Sequence, residues 1–486
     1  MSLKQQAVSG LKWTSVAAIT AATLQLLQLL VLARLLEKED FGLMALAMVL
    51  VGLAQLFADL GLANTLIHKK DVTREQLHTI YGINLITGIC LYVLLFFAAP
   101  GVSAFYGNTE LTNIIRWLSL IFVIQPFGQL YHALLRKKLQ FNAIAKRDIA
   151  AKVINFCACI LAALCGYGVY SFVIAQVLGT CISTILLISF GRKLYIPQLH
   201  ISKNDIKPFL SYSLYLLGEN IVSFTRNQID ILLIGKIMTI ELVGIYNMAK
   251  RIVEYPFMLF NPVVLQVSFP VMAKVQDEPA RLKNIYLKAI NYLASVSFPV
   301  YAFIALFACV ITTIMLGGKW LSVVPILPIL CMYAALRLIY NPISSLLFAK
   351  GFFRRSFWWN VGFLIVTPAC LLLAFLWETK INGIAWGTVT GYAIIIIPMW
   401  YFLIRPCIPC KLGEYLQQFV RPILASIIIA ALCIPVILWI STPIIQLAAG
   451  CFVFLVAFIP VARLINPAFY TELVLQLKDI WNKKHI

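Results

Sequence analysis

What the chain lacks sorts it before any motif is found. Charge is scarce: only 12% of its 486 residues are Asp, Glu, Lys or Arg, while 62% are hydrophobic and the mean hydropathy is +0.91. So little charge cannot keep a globular surface in water, which excludes a soluble protein and implies an all-α, polytopic membrane protein. Acids are scarcer still, 19 against 39 bases, for a formal net charge of +20. No basic run alternates with aromatics in a polar segment, and membrane proteins gather Lys and Arg in their cytoplasmic loops, so no nucleic-acid partner is expected. The twelve cysteines are scattered, and the pairs Cys157/Cys159 and Cys407/Cys410 have neither a second pair nor a nearby His. A structural zinc needs about four ligands at workable spacing, so no metal site is expected. Also missing are a small-residue cleavage site after the first apolar segment and any long polar loop; that segment is expected to stay as a membrane anchor.

What is present is a succession of apolar runs. Candidate spans are 11–34, 41–67, 78–104, 111–135, 148–168, 170–190, 209–236, 241–270, 286–314, 321–349, 356–377, 381–404, 421–441 and 444–464, fourteen in all. Loops on one side are rich in bases, as with Arg136, Lys137, Lys138, Lys146 and Arg147, or Lys350, Arg354 and Arg355; those on the other carry only Arg34, Lys38, Lys236, Lys319 and Lys380. The alternation holds through all fourteen spans, so both termini are expected in the cytoplasm, and one missed span would have inverted it. The outer loops are short, as in GYG at 166–168 and WETK at 377–380, leaving no room for an external domain. The tail 466–486 reads as an interfacial helix with Leu473, Leu477, Ile480 and Trp481 on one side and Lys478, Lys483 and Lys484 polar.

One span departs from the rest. Residues 209–236 are long and apolar enough to cross a bilayer, yet carry Glu219, Asn220, Arg226, Asn227, Gln228 and Asp230. At roughly 100° per residue, Arg226 and Asp230 fall about 20° either side of Glu219, on one stripe. A charge facing lipid costs at least about 2.5–3.5 kcal/mol, so this stripe should face protein or a water-filled cavity. Two readings stay open: a structural pair between Arg226 and Asp230 at i, i+4, or the charged wall of a transport cavity.

Sliding the chain by 202 positions exposes a repeat. ARLLEKEDFGLMALA (33–47) lies on GKIMTIELVGIYNMA (235–249), matching Glu39/Glu241, Gly42/Gly244 and Ala47/Ala249, each around a short outer loop. Two parallel halves are expected, and transporters built on repeats bind substrate between them. Polar residues in the spans that would flank such a cleft are then candidates: Gln25 and Gln28 in the first, Asp59 in the second, Lys250, Arg251 and Glu254 in the eighth, Arg337 with Asn341 in the tenth. The cations suit an anionic headgroup such as a pyrophosphate, although Lys250 and Glu254 could equally form an i, i+4 pair. Gln125, Gln129 and His132 are read as interhelical hydrogen-bonding groups, and Pro256, Pro262 and Pro270, with Pro325, Pro328 and Pro342, as kinks or hinges.

Specific strings carry a resemblance. MSLKQQAVSGLKW, LARLLEKEDFGLMALA, FADLGLANTLIHKK, LLRKKLQFN (134–142), FNPVVLQVSFPVMAKVQD (260–277), GGKW (317–320) and NPISSLLFAKG (341–351) resemble the Wzx-type lipid-linked oligosaccharide flippases. The likeness is to the branch close to the colanic acid exporter, within the multidrug/oligosaccharidyl-lipid/polysaccharide exporter superfamily. It runs to about residue 420; the last two spans match in hydropathy alone. It implies two pseudo-symmetric six-helix lobes in a V plus two C-terminal helices. That maps to lobes over 1–195 and 209–405, a cytoplasmic linker over 196–208, two further spans in 406–465 and an amphipathic tail over 466–486. It also implies export of undecaprenyl-pyrophosphate-linked oligosaccharide repeat units across the bacterial inner membrane by alternating access, beside the polysaccharide polymerase machinery. The drive is potential or an ion gradient (Na⁺ or H⁺) rather than ATP, and the chain agrees in lacking a GxxxxGK[ST] loop. No cofactor is expected. The family has no short catalytic signature, so the candidates Gln25, Gln28, Asp59, Glu219, Arg226, Asp230, Lys250, Arg251 and Arg337 rest on intramembrane charge and polarity alone. The alternatives are a drug/cation antiporter of the same superfamily, which usually has twelve spans, and a membrane polymerase or glycosyltransferase. For the latter the only acidic cluster is Glu37, Glu39 and Asp40, better read as turn and N-cap residues.

Overall fold

Helix is what a bilayer permits, because in hydrocarbon every backbone N–H and C=O must be satisfied within its own segment. The structure is a computed structural model that describes residues 3–59, 66, 72–198 and 202–484, with side chains described for all of these except 3–9, 11, 59, 203–216, 259–270, 353 and 476–484. Among the described residues every regular element is helical. Among the described residues ten helices are long and apolar enough to cross a membrane, and one bent pair makes up to eleven. Their surfaces match that solvent: Phe97, Leu376 and Leu464 are 74%, 74% and 78% exposed, which lipid tolerates and water does not.

The described residues fall into two compact units, Met1–Gly244 and Ile245–Ile486. The first holds α1 (Leu3–Leu35), α2 (Lys38–Asp59), α3 (Arg74–Tyr106), α4 (Glu110–Ile124), α5 (Pro126–Lys137), α6 (Phe141–Leu164), α7 (Tyr170–Gly191) and α8 (Lys203–Ile237), and α9 (Ile240–Lys274) begins in it. α6 packs on α1 and α7, α3 on α4 and α5, and α8 on α2 and α3. α3 shows how local sequence sets a boundary. Thr73 Oγ1 accepts the Gln76 N–H at 3.3 Å while Gln76 Oε1 accepts the Thr73 N–H at 3.4 Å, a reciprocal cap. Its far end closes on Gly107 at φ 71°, a left-handed conformation that costs glycine nothing. The span expected over 111–135 is instead two helices bent by 48° at Gln125–Pro126, because Pro126 has no N–H to continue the ladder.

The stretch expected as a linker over 196–208 is tied down where described. The Gln198 N–H donates to His78 Nδ1 at 3.0 Å, the Ser202 N–H to Thr79 Oγ1 at 3.3 Å, and α8 already begins at Lys203. With Nδ1 accepting, the Tyr195 hydroxyl 2.7 Å away must donate to it too; burial pushes that phenol up to about 12, keeping it a donor.

The second unit holds the rest of α9, then α10 (Pro279–Leu306), α11 (Ala308–Met315), a 3₁₀ turn (Gly318–Val323), α12 (Leu327–Ala349), α13 (Phe353–Trp377), α14 (Ile381–Met399) with a π turn (Trp400–Ile404), α15 (Leu412–Trp439), α16 (Pro443–Ile465) and α17 (Pro467–Lys484). α10 packs on α12 and α15, and α13 on α14. The spans expected over 286–314 and 321–349 are shifted: the first breaks at Phe307, and α12 starts only at Leu327. Pro328 therefore lies in the first turn of α12, where a missing N–H is harmless, rather than kinking a span. Pro256 and Pro342 lie within continuous helices. The side chains of Pro262, Pro270, Leu477, Ile480, Trp481 and of Lys478, Lys483 and Lys484 lie outside the described residues.

Candidate functional site

The expected charged stripe lies on α8. Glu219 and Arg226 are half-buried, and Asp230 is 4% exposed, its Oδ1 accepting the Ile231 N–H at 2.9 Å. A carboxylate kept from lipid, on a helix packed against α2 and α3, is where intramembrane charge is tolerated. Gln28 lies against the Cys159 thiol of α6, while Gln25 is exposed. The Asp59 side chain lies outside the described residues.

A polar cavity of ≈ 430 Å³ opens inside the first unit, beside the α4–α5 bend, lined by Gln55, Gln125, Gln129, His132, Arg147 and Asn155 among others. Arg147 Nη1 lies 3.0 Å from Asp148 Oδ1 and 3.2 Å from Ser183 Oγ, and its buried Nε finds no acceptor. Asn155 Nδ2 donates to the Ala175 carbonyl at 2.9 Å. The sequence reading placed Gln125, Gln129 and His132 on one face but took Arg147 for a loop cation. The missed signal is a spacing: Arg147, Ala151 and Asn155 recur at i, i+4, i+8 opposite Gln176, Thr180 and Ser183 at i, i+4, i+7.

The second unit gathers cations around one acid. Arg337 Nη1 on α12 lies 3.4 Å from Glu254 Oε1 on α9 and 3.4 Å from the Tyr333 hydroxyl, and its guanidinium sits 4.2 Å from the Phe257 ring centroid. Glu254 thus has a partner on another helix, which helical spacing could not show. One turn back on α9, Lys250 is 2% exposed and Arg251 half-buried. Tyr301 Oη donates to the Val253 carbonyl at 3.1 Å, holding α9 to α10. α12 is positioned by aromatics: Tyr333 and Tyr340 pack on Tyr392 with ring centroids at 5.1 and 5.2 Å, and the Tyr340 hydroxyl donates to the Tyr392 carbonyl at 2.6 Å. Cations on neighbouring turns of α9 and on the facing turn of α12 suit an anion. No group of three or more His, Cys, Asp or Glu among the described residues could hold a metal ion.

Residues 31–325, more than half of the chain, match the family described as polysaccharide biosynthesis protein. The chain belongs to this family. Relatives cover most of its length. The lipopolysaccharide biosynthesis protein WzxC of Escherichia coli (strain K12) is 30% identical over 88% of this chain and 87% of its own. The teichuronic acid biosynthesis protein TuaB of Bacillus subtilis (strain 168) is 32% identical over 87% of this chain and 88% of its own. Among solved structures, the lipid II flippase MurJ in an inward closed conformation superposes with a TM-score of 0.75, covering 92% of this chain and 98% of that one. At 15% identity that likeness concerns the fold. The family match ends at residue 325, so Arg337 lies beyond it, while Glu219, Arg226, Asp230, Lys250 and Arg251 lie within.

Proposed function

We propose that this chain is a flippase that carries undecaprenyl-pyrophosphate-linked oligosaccharide repeat units from the cytoplasmic to the periplasmic leaflet of the bacterial inner membrane, for a surface polysaccharide. It is a transporter and makes or breaks no covalent bond. The observation that carries the reading is Arg337 held at Glu254 across α12 and α9, with buried Lys250 and half-buried Arg251 one turn away on α9, in a membrane chain of a polysaccharide biosynthesis family. Guanidinium and ammonium groups held out of lipid bind a pyrophosphate by charge-assisted hydrogen bonds, and amide-rich surfaces such as the first unit's cavity suit sugar hydroxyls.

In this reading the chain crosses the membrane fourteen times: ten long apolar helices, the bent α4–α5 pair, and α6, α8 and α9, with both termini in the cytoplasm. Its two six-helix halves alternate access to the two faces while the lipid tail stays in the bilayer, and Na⁺, H⁺ or the membrane potential supplies the drive. A polysaccharide polymerase takes the delivered units.

The test uses a strain deleted for this gene and complemented at equal membrane abundance. The deletion should lose polymer and accumulate lipid-linked repeat units. Arg337→Ala should restore export to no more than about a tenth of wild type, since a lost charge-assisted hydrogen bond is worth about 1.5–3 kcal/mol. Arg226→Ala tests the α8 stripe in the same way. Normal polymer without accumulation in the deletion strain would sink the flippase reading; normal export by Arg337→Ala would remove that residue from the site.

A further inference from the structure

One cavity in the second unit belongs to none of the groups above. It has a volume of ≈ 1150 Å³ and lies between the start of α13 and the π turn after α14. Three arginines line it, Arg354, Arg355 and Arg405, with Trp358, Tyr401 and Phe402, and no carboxylate is among its lining residues. Two sequence features build it. Trp358 lies one helical turn beyond Arg354 and Arg355 at the start of α13. The π turn Trp400–Ile404 adds a residue to its turn, with the Arg405 N–H donating to the Trp400 carbonyl at 2.9 Å, and brings Tyr401 and Arg405 to the same groove. Trp400 is itself held, its Nε1–H donating to the Cys410 carbonyl at 3.1 Å. Two of the arginines lie over aromatic faces: Arg355 is 4.7 Å from the Phe352 centroid and Arg405 5.5 Å from that of Tyr401.

The rim of the groove is apolar and exposed. Trp358 and Phe402 are 61% and 59% exposed, and farther along the same two helices Ile365, Leu373, Ile394 and Ile397 are exposed as well. Arginines at one end of an apolar, outward-facing wall match a ligand with an anionic head and acyl chains. The charge pattern of the loops puts these arginines at the cytoplasmic face, where basic pockets between membrane helices take anionic headgroups and aromatic rings sit at headgroup level. We propose that this groove is a binding site for an anionic phospholipid of the cytoplasmic leaflet, with its phosphate held by Arg354, Arg355 and Arg405 and its acyl chains along Trp358 and Phe402. The proposal stands apart from the cargo reading and needs none of that site's residues.

The full-length protein, purified in detergent and washed free of lipid, is titrated with phosphatidylglycerol or phosphatidylcholine, and bound lipid is counted by native mass spectrometry. Wild type should retain phosphatidylglycerol over phosphatidylcholine. R354Q/R355Q/R405Q should weaken that retention on the order of a hundredfold, each arginine near the surface contributing roughly fivefold. If the triple variant loses its melting transition, R354Q/R405Q decides instead, with an expected loss of roughly twenty-fivefold on the same scale. Equal retention by variant and wild type overturns the proposal, as does wild type that does not distinguish the two lipids. A third arm adds undecaprenyl pyrophosphate. If it displaces phosphatidylglycerol from wild type at equimolar amounts, the groove is a cargo site and the proposal is again overturned.

Discussion

Cys407 shows how burial governs chemistry at a single residue. It lies buried in the loop between α14 and α15, and burial pushes its thiol from an ordinary value near 9 up to about 11. The thiolate is the nucleophile, so at neutral pH Cys407 carries about a hundredfold less of the reactive form than an ordinary cysteine. Maleimide at pH 7.5 should leave Cys407 unmodified while the exposed Cys165 reacts, as read by peptide mapping. Raising the pH toward 10 should speed the Cys407 reaction about tenfold per unit. Equal rates for Cys407 and Cys165 at pH 7.5 would disprove the burial. The linkage sign agrees: the folded state holds this proton more tightly than the unfolded chain, so its contribution to stability is complete below about pH 9 and is lost as pH rises toward 11.

At the scale of elements, the start of α2 and the start of α9 meet within the first unit. A Cβ on Gly42 would lie 2.1 Å from the Ile240 carbonyl oxygen, and one on Gly244 would lie 1.9 Å from that of Lys38. Lys38 Nζ pairs with Glu241 Oε1 at 2.9 Å across the same contact. The surface ion pair is worth at most about 1 kcal/mol; the glycines are what allow two backbones to touch. Gly42 and Gly244 are equivalent under the 202-residue shift, so the two positions matched in sequence share one crossing in space. Gly244→Ala should lower stability by about 1–3 kcal/mol, because the obstructing atom is backbone and cannot rotate away. Gly101→Ala, whose Cβ meets nothing within 4 Å inside α3, should instead hold or gain about 0.5–1 kcal/mol. Thermal melting of both variants in detergent checks the pair, and a Gly244→Ala protein as stable as wild type would show that the crossing is looser than described.

For the whole molecule the open quantity is orientation. Cys165 sits in the loop after α6, which the charge pattern puts outside, and Lys138 in the loop after α5, which it puts inside. A membrane-impermeant maleimide should label Cys165 in intact spheroplasts, and Lys138→Cys only after permeabilisation. The reverse pattern would invert the topology of the entire chain.

The sequence by itself determined that this is an all-helical membrane protein, which helices are long and apolar, and the family, since the cost of taking charge and backbone out of water is local and additive along the chain. It also picked out Asp230, Lys250 and Arg337, because any ionisable group in an apolar run stands out. Tertiary structure decided what each of them meets. Arg337 finds Glu254 83 residues away, where spacing offered only Lys250 for that carboxylate. Arg147, counted with the loop bases, faces an internal cavity, because whether a base near a helix end points to water or inward depends on which helix packs beside it. The bend at Pro126 and the harmless Pro328 differ for the same reason: both prolines lack an N–H, and only the packed helix register says whether one was needed there.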